Sequence, residues 1–562
     1  MKLSINILRI RVLSKIVCVG YLNFVGAIIG LISFYIIYGS IPLSPTNDSW
    51  IMAGYDESDI IQHYSGWLAF RNSEWSFPLG LAKDMAIEDG TYISFTDSIP
   101  WVAIFFKLFN QFLPETFQYF GLYVFLCFIL QGIASINIFK TTTRDTFYSV
   151  MGSIILCFSP ILLERAFRHS GLGSQWLILF SILIFLQHRN NPNSIHYIFY
   201  AILLGLAIGI HPYFLPMVAL FMGISVIEDL KERNHFSLFL ALLALLLTYG
   251  LGLILGVLGT GVSPSRWGYG YFSMNLNAVI NPISCGKYNW SSIFKQHEQV
   301  LGNYDGFNYL GAGVFLGLFL LIIFTIIFRN IQYITCKLRR NSIFAIAMLL
   351  CSFFAISNVI SLNGKILYEI PIPHVFEYIC GIFRASSRLF YPVYYCIIII
   401  TLSGLFKFRS QLSIKKIYFL IGLICFMQFF DIHYCISEKH RMMKQNANYI
   451  SILNNNELND ILSNSKNVLL DEFTGNNRVV AVIALKNNNK LYYSTANSGN
   501  YTKTNETAQN TISRIKKTGK IEKNIIVTTN INEKDRYLLH RNLSSLYVDG
   551  MYFIYEEDNK SV

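Results

Sequence analysis

Charged residues are scarce in this chain. Asp, Glu, Lys and Arg together make up 14% of its 562 residues, whereas a typical soluble protein carries about a quarter. Hydrophobic residues make up 53% of the chain, and many of them are gathered into runs of the length that crosses a bilayer. The low charge therefore excludes an ordinary soluble globular protein and predicts a polytopic α-helical membrane protein.

Sequence signatures of zinc and nucleotide binding are also missing. The ten cysteines show no Cys-X-X-Cys or Cys/His spacing that would indicate zinc, and no glycine-rich loop indicates a bound nucleotide. The net charge of +12 comes mainly from Lys and Arg at the ends of hydrophobic runs, as expected for a chain that crosses a membrane. No nucleic-acid partner is therefore predicted.

The hydrophobic runs predict about eleven membrane spans. Lys and Arg gather in alternate connections on the N-terminal side, which predicts a cytoplasmic N-terminus. A large first loop (39–116), a second large loop (259–308) and the C-terminal end are then extracytoplasmic. The short apolar stretch at 99–114 is interpreted as an interfacial helix. The predicted spans lie near residues 16–38, 117–139, 147–163, 174–187, 195–210, 213–229, 236–258, 309–328, 343–360, 389–406 and 415–430.

The composition of the chain changes near residue 440. Asn, Lys, Ser and Thr become frequent, and no long apolar run follows. Short runs such as "NVLLDEF" and "NIIVTT" are typical of β-strands. We therefore predict a transmembrane module in residues 1–440 and a small soluble α/β domain in residues 441–562.

The first loop contains the stretch "YDESDIIQHYSGW", which places acids and a histidine at the outer membrane surface. In a helix, Asp59, Gln62 and His63 share one face, and an aromatic side chain follows one turn later. An acid beside a histidine is suited to binding a sugar and abstracting a hydroxyl proton. Contact with lipid headgroups is the alternative. The residues of this stretch predicted to contact substrate are Asp56, Glu57, Gln62 and Trp67.

A second acid of the same loop, Asp97, lies in "SFTDSIPW" directly before a proline-started helix. The residue is either a neighbour of the helix cap or a second catalytic or metal-binding acid. Asp59 and Asp97 could together ligate a divalent ion such as Mg²⁺ or Mn²⁺. The spacing does not require a cation, so no cofactor is certain.

Cationic and aromatic side chains recur in the other predicted outer connections. Arginine is suited to a phosphate because its fork binds two oxygens, and aromatic rings are suited to stacking on a sugar. The alternatives are arginines that reach lipid headgroups and an interfacial aromatic belt. The candidates for substrate contact are Arg165, Arg168, His169, His211, Tyr213, Tyr271, Asn275, Arg384 and Arg388.

These stretches resemble the DUF6311 family, bacterial polytopic membrane proteins with a glycosyltransferase-C-like (GT-C) architecture. The resemblance covers about residues 50–435. It rests on the Asp59 stretch followed by "FRNSEWSFPLGL", and on "SFTDSIP", "RHSGL", "HPY", "NPI", "DGFNYLGAG" and "FRASSRLFYP".

The resemblance implies that a lipid-phosphate-linked sugar enters from the bilayer and that a first-loop acid acts as base on the acceptor, with inversion at the anomeric carbon. Many GT-C proteins carry an Asp-Glu pair in this loop, here Asp56 and Glu57, while the family pattern indicates Asp59. The identity of the base therefore stays open.

We thus expect an inner-membrane glycosyltransferase that moves a sugar from a polyprenyl-phosphate donor to an extracytoplasmic glycan such as an O-antigen or capsule. Asp59 is the expected base, with Asp97 second, and His63 orients the substrate or the base. The arginines hold the donor phosphate. The alternatives are a flippase or transporter of lipid-linked oligosaccharides, an O-antigen polymerase, and a non-catalytic scaffold.

Overall fold

The computed structural model describes residues 2–56, 59–262, 267–285, 288–328, 341–472, 475–496 and 498–557. Its larger part is a helical bundle. The helices of this part are α1 (Lys2–Tyr38), α2 (Ser49–Met52), α3 (Asp59–Asn72), α4 (Pro100–Leu108), α5 (Phe120–Thr143), α6 (Thr146–Cys157), α7 (Pro160–Arg165), α8 (Trp176–Asn190), α9 (Ile195–Ile210), α10 (Phe214–Lys231), α11 (Phe236–Leu255), α12 (Ala312–Ile327), α13 (Ser342–Ile356), α14 (His374–Ile382), α15 (Tyr391–Phe406), α16 (Arg409–Leu412) and α17 (Ile414–Asn446).

Seven helical segments within the described ranges are long and apolar enough to cross a membrane. They confirm a multi-pass, mostly helical membrane protein. Three further apolar helices, α9, α12 and α13, have 10–17 residues each. The predicted count of eleven spans and the predicted orientation stay predictions. The seven segments are Gly20–Tyr38, Phe120–Thr143, Thr146–Arg165, Ser170–Asn190, Phe236–Leu255, Ser386–Leu412 and Ile414–Asn446.

Helices α1 and α5 approach closely because glycines line their contact. A Cβ atom on Gly30 would lie 2.1 Å from the backbone oxygen of Phe128, and one on Gly132 would lie 2.1 Å from the backbone oxygen of Gly26. Small residues let membrane helices pack backbone to backbone. This contact fixes the helix from which the first loop departs.

The first loop folds around α3, which is buried on all sides. Every residue from Ile60 to Arg71 is buried, although the sequence of α3 is only weakly apolar. The short antiparallel pair β1 (Leu81–Ala82) and β2 (Thr91–Tyr92) lies beside it. The stretch at 99–114, predicted as an interfacial helix, contains α4 (Pro100–Leu108) and a turn of 3₁₀ helix.

A second hairpin and a mixed sheet complete the architecture. The hairpin joins β3 (Val359–Leu362) and β4 (Lys365–Glu369). The sheet has the order β6-β5-β7-β9-β8, with β6, β5 and β7 parallel and the β8–β9 pair antiparallel. Its elements are α18 (Asn456–Ser463), β5 (Asn467–Leu470), α19 (Asn477–Lys486), β6 (Lys490–Leu491), α20 (Thr502–Thr518), β7 (Asn524–Thr528), α21 (Ile531–Leu538), β8 (Leu543–Val548) and β9 (Met551–Glu556).

The sheet region packs against the first loop. Leu491 of β6 donates its backbone N–H to Asp84, and Ala86 and Ile87 of the loop donate theirs to Tyr493 and Leu491. The predicted boundary at residue 440 falls within α17, which continues to Asn446. That residues 441–562 form a separate domain stays a prediction.

Candidate functional site

Helix α3 presents two of the predicted site residues at its start. Asp59 is the first residue of the helix, and His63 follows one turn later. Gly66, on the next turn, allows the segment around Asp97 to approach. A Cβ atom at Gly66 would lie 2.0 Å from Oγ1 of Thr96 and 2.4 Å from Oγ of Ser98. The hydroxyl of Ser98 also donates to the backbone oxygen of His63 at 2.7 Å.

The segment that carries Asp97 has unusual backbone angles. Asp97 has a φ of 53° and Ile99 a φ of 54°. A β-branched residue with positive φ is a genuine outlier, and such conformations persist only where the surrounding structure holds them. The segment is held by the contacts of Ser98 to α3 and by Tyr119, whose hydroxyl donates to the backbone oxygen of Ser98. The backbone thus fixes Asp97 beside α3.

Three histidines surround the two acids. Nδ1 of His169 lies 3.7 Å from Oδ2 of Asp59, and Nε2 of His211 lies 3.7 Å from Oδ1 of Asp97. The ring of His63 lies 6.4 Å from that of His169. Asp59, Asp97 and His169 keep 21%, 28% and 16% of their side chains exposed, so this face of the group is open to a ligand.

One potential ligand atom each from His63, Asp97 and His169 lies within 4.8 Å of the other two. Two imidazoles and a carboxylate can hold a divalent transition metal ion. His63 is fully buried, and neither of its ring nitrogens has a hydrogen-bond partner among the residues that the structure describes. The group differs from the predicted pair, because two histidines, and not Asp59, join Asp97.

The electrostatics of the group favour neutral imidazoles. Burial lowers the pKa of His63 to about 4, although Asp59 opposes the shift. Burial, with Arg388 and Arg165 adding to it, holds the pKa of His169 well below its ordinary value. Burial raises the pKa of Asp97 to about 6, against the opposite influence of Arg388. At neutral pH the group therefore offers free imidazole lone pairs and a mostly ionised carboxylate.

The predicted arginines meet at a buried acid that the sequence analysis did not assign. Arg165 contacts Oδ1 of Asp305 at 2.9 Å. Arg388 donates from Nε to Oδ2 at 2.9 Å and from Nη2 to Oδ1 at 3.0 Å. Burial would raise the pKa of Asp305, but Arg165 and Arg388 outweigh it and hold the pKa well below its ordinary value. Two guanidinium groups on one carboxylate leave a net charge of +1.

Tyr213 connects the arginines to the histidine group. Its hydroxyl accepts the backbone N–H of Ala385 at 2.8 Å, its ring lies 4.9 Å below the guanidinium of Arg388, and its backbone N–H donates to Nδ1 of His211. Arg384 is half-buried in the same segment and pairs with no acid within the described part of the chain. The cations thus lie next to the acids of the first loop.

Other predicted substrate contacts are engaged within the protein. Asp56 is buried and accepts from Nζ of Lys439 at 2.8 Å. Arg168 is buried and paired with Glu164. Trp67 is fully buried and donates to the backbone oxygen of Phe117. The polar atoms of Asp56, Arg168 and Trp67 therefore have partners within the protein and away from solvent, and a direct substrate contact for these three residues stays a prediction.

Asn275 and Tyr271 are predicted substrate contacts whose described partners lie in the second large loop and not among the acids and histidines of the site. Asn275 lines a small cavity of about 10 Å³ with Asn303 and Gly306, far too small for a sugar. The ring of Tyr271 packs on Trp267, 5.3 Å between centroids, in an aromatic group of the second large loop. Glu57 lies outside the described residues.

Arg478 of α19 is the residue that sequence reasoning missed altogether. It donates from Nη1 to Oδ1 of Asp59 and from Nη2 to Oε1 of Gln62, both at 2.7 Å. No pattern near this arginine indicates a site in the sequence. Asp305, in contrast, lies in the quoted "DGFNYLGAG" stretch and could have been assigned from it.

Comparisons with known proteins agree with the sequence resemblance. The family described as "Domain of unknown function (DUF6311)" matches residues 27–433, and no curated protein matches the chain. Among solved structures, the chain is similar to the archaeal oligosaccharyltransferase AglB from Archaeoglobus fulgidus, in complex with an inhibitory peptide and a dolichol-phosphate, with 12% identity and a TM-score of 0.40. The similarity covers 85% of this chain and 65% of that one, less than two thirds of its length. A similarity of this size does not establish a shared fold, so the GT-C-like architecture stays a prediction.

Proposed function

The chain belongs to the DUF6311 family, and we propose that it is a membrane glycosyltransferase that moves a sugar from a polyprenyl-phosphate donor to a hydroxyl of an extracytoplasmic glycan. One observation carries the proposal: carboxylates, imidazoles and guanidinium groups from separate parts of the chain meet at one partly exposed place beside membrane helices. A phosphosugar held by a lipid tail requires cations for its phosphate, and the acceptor alcohol requires a carboxylate.

The acceptor hydroxyl gives its proton to Asp59 in this proposal. Arg478 occupies Oδ1 of this carboxylate, and Oδ2 faces His169 at 3.7 Å. Oδ2 is therefore the oxygen that can accept a proton. Asp97 is the second carboxylate of the site, and its place beside His63 and His169 suits it better to holding a cation.

The donor phosphate binds to the arginine side of the site. Arg388 uses Nε and Nη2 on Asp305, which leaves Nη1 for a ligand. Arg384 adds a second guanidinium that has no acid partner within the described ranges. The net charge of +1 on Arg165, Asp305 and Arg388 favours an anion at this position. The phosphate then leaves from one side of the sugar while the acceptor attacks from the side of Asp59, which inverts the anomeric carbon.

The histidine group of the site would hold a divalent cation. His63, Asp97 and His169 would hold it, since both nitrogens of His63 are buried without a partner in the described residues and burial keeps the imidazoles neutral. A bound cation would supply charge stabilisation to the leaving phosphate. The donor set of two imidazoles and one carboxylate fits Mn²⁺ better than Mg²⁺, which prefers oxygen ligands.

Mass analysis of the glycan tests this proposal. Extracytoplasmic glycans are compared between strains that carry the wild-type chain, Asp59→Asn, or no chain. Asp535→Asn serves as the matched control, because Asp535 is an exposed acid whose ion-pair partner is the neighbouring Lys534. We expect one sugar per repeat unit to be lost in the strain without the chain and in the Asp59→Asn strain, and to be kept in the control.

The same measurement separates the alternatives. A polymerase would change the length of the glycan and not the mass of its repeat unit. If the chain were a flippase, the strain without it would accumulate lipid-linked intermediates. A scaffold would tolerate Asp59→Asn. Each of these results would contradict the proposed sugar transfer.

A further inference from the structure

The residues after α17 contribute a side chain to the proposed site. Arg478 stands at the start of α19 and reaches α3, where its two terminal nitrogens bond Asp59 and Gln62 at 2.7 Å each. Both Arg478 and Asp59 keep 21% of their side chains exposed. The pair therefore lies at the open face of the site and not in the core.

Contacts other than those of Arg478 also join this region to the first loop. The hydroxyls of Ser65 and Thr495 lie 2.8 Å apart across the interface, and Nδ2 of Asn72 donates to the backbone oxygen of Leu485 at 2.8 Å. The backbone bonds between β6 and the segment before β2 extend the contact. A substitution of Arg478 removes its bonds to Asp59 and Gln62, whereas these other contacts do not involve Arg478.

Arginine is the side chain that this position requires. Its planar fork bonds a carboxylate oxygen and an amide oxygen at the same time, while lysine offers a single point charge. With Oδ1 of Asp59 held in this way, the carboxylate cannot rotate freely about its bond to Cβ. Gln62, held by the second nitrogen, keeps Oε1 directed to the same place.

We infer that Arg478 is a positioning residue for Asp59 and Gln62, so that the C-terminal region completes the site in the first loop. This inference rests on the proposed sugar transfer. Groups that orient metal-binding side chains typically change metal affinity or activity about 10- to 100-fold when they are removed, and we expect a group that orients the base to act in the same range. We expect Arg478→Met to reduce the modified fraction of the glycan by about tenfold or more.

Lysine at position 478 provides the conservative comparison. It restores the charge but can bond only one of the two oxygens, so Arg478→Lys should recover part of the modification that Arg478→Met loses. Lys490→Met is the matched control. Lys490 joins the same two regions through Asp84 at 3.2 Å, but it is 56% exposed and lies in β6, the strand that follows the helix of Arg478.

The test uses the full chain in cells, with the mass of the glycan repeat unit as readout and amide hydrogen exchange of the purified full chain as the measure of docking. Support requires a loss in Arg478→Met, partial recovery in Arg478→Lys, wild-type modification in Lys490→Met, and unchanged exchange of α3 and α19 in all three. Modification that depends on Asp59 but not on Arg478 overturns this inference alone. An equal loss in Lys490→Met, or faster exchange of α3 in Arg478→Met, also overturns it, because docking would then be the cause. A wild-type chain that adds no sugar overturns the proposed function and the inference with it.

Discussion

Arg388 donates two hydrogen bonds to the carboxylate of Asp305, of 2.9 Å from Nε and 3.0 Å from Nη2. Asp305 is 2% exposed and also contacts Arg165. The acid is therefore the structural centre of the cationic side of the site. Asp305 joins the end of the segment Thr146–Arg165 to the start of the segment Ser386–Leu412. It also holds both guanidinium groups in fixed positions.

Removal of this acid is expected to destabilise the protein. Asp305→Ala leaves two guanidinium groups close together without their carboxylate, and breaking a buried ion pair in this way costs about 3–5 kcal/mol. Thermal unfolding of the purified chain in detergent measures the effect. Glu438→Ala is the control, because its partner Arg441 is 54% exposed and solvent can replace the lost carboxylate. An unchanged unfolding temperature in Asp305→Ala would show that the cluster does not hold the fold.

Asp56 and Lys439 are expected to matter for stability and not for substrate. The pair is buried, at 2.8 Å, so Lys439→Met alone should cost about 3–5 kcal/mol because it leaves the carboxylate unpaired. The double variant Asp56→Asn with Lys439→Met should recover much of this loss. Glycan mass then decides the role: the double variant should modify glycan as the wild type does. A double variant that is stable but does not modify the glycan would indicate that Asp56 contacts the substrate.

Gly66 is expected to tolerate no side chain. A Cβ atom there meets Thr96 and Ser98 at 2.0 and 2.4 Å, so Gly66→Val must displace the segment that carries Asp97. We expect a loss of sugar transfer of about tenfold or more, since displacements of about 1 Å cost up to about a hundredfold. Gly223→Ala is the control, because nothing lies within 4 Å of its added Cβ. Wild-type glycan in Gly66→Val would show that the position of Asp97 is unimportant.

Cation binding is expected to require His63 and His169. Titration of the purified, chelator-treated chain with Mn²⁺, followed by electron paramagnetic resonance, should show one site that is lost in His63→Ala and in His169→Ala. His297→Ala is the control, because that histidine lies in the second large loop and is not a member of the group. Equal Mn²⁺ binding by the wild type and the three variants would contradict the cation assignment. The arginine side of the site is tested separately, by the glycan measurement.

The sequence predicted the membrane character and the acids of the first loop, because both follow from local patterns. Apolar runs of about 20 residues reveal helices, and a helical spacing reveals that Asp59, Gln62 and His63 share a face. The pattern could not show which arginines are already neutralised. Arg165 and Arg388 look available in sequence, but their partner Asp305 comes from a distant loop.

The contribution of the C-terminal region was equally beyond local reasoning. Nothing in the local sequence distinguishes Arg478 from an arginine on the surface of a helix. Its partners Asp59 and Gln62 lie more than 400 residues away in the chain and reach it through the docking of α19 on α3. The same docking explains why α3 is buried although its sequence is not strongly apolar.

An experimental structure of the full chain in a lipid nanodisc with a polyprenyl phosphate would show where the donor phosphate binds. We expect the phosphate to lie beside the guanidinium groups of Arg384 and Arg388, with the lipid tail toward the membrane helices and with Asp59 and Asp97 facing the phosphate. A phosphate bound elsewhere, with Asp59 and Asp97 directed away from it, would contradict the proposed sugar transfer at this site.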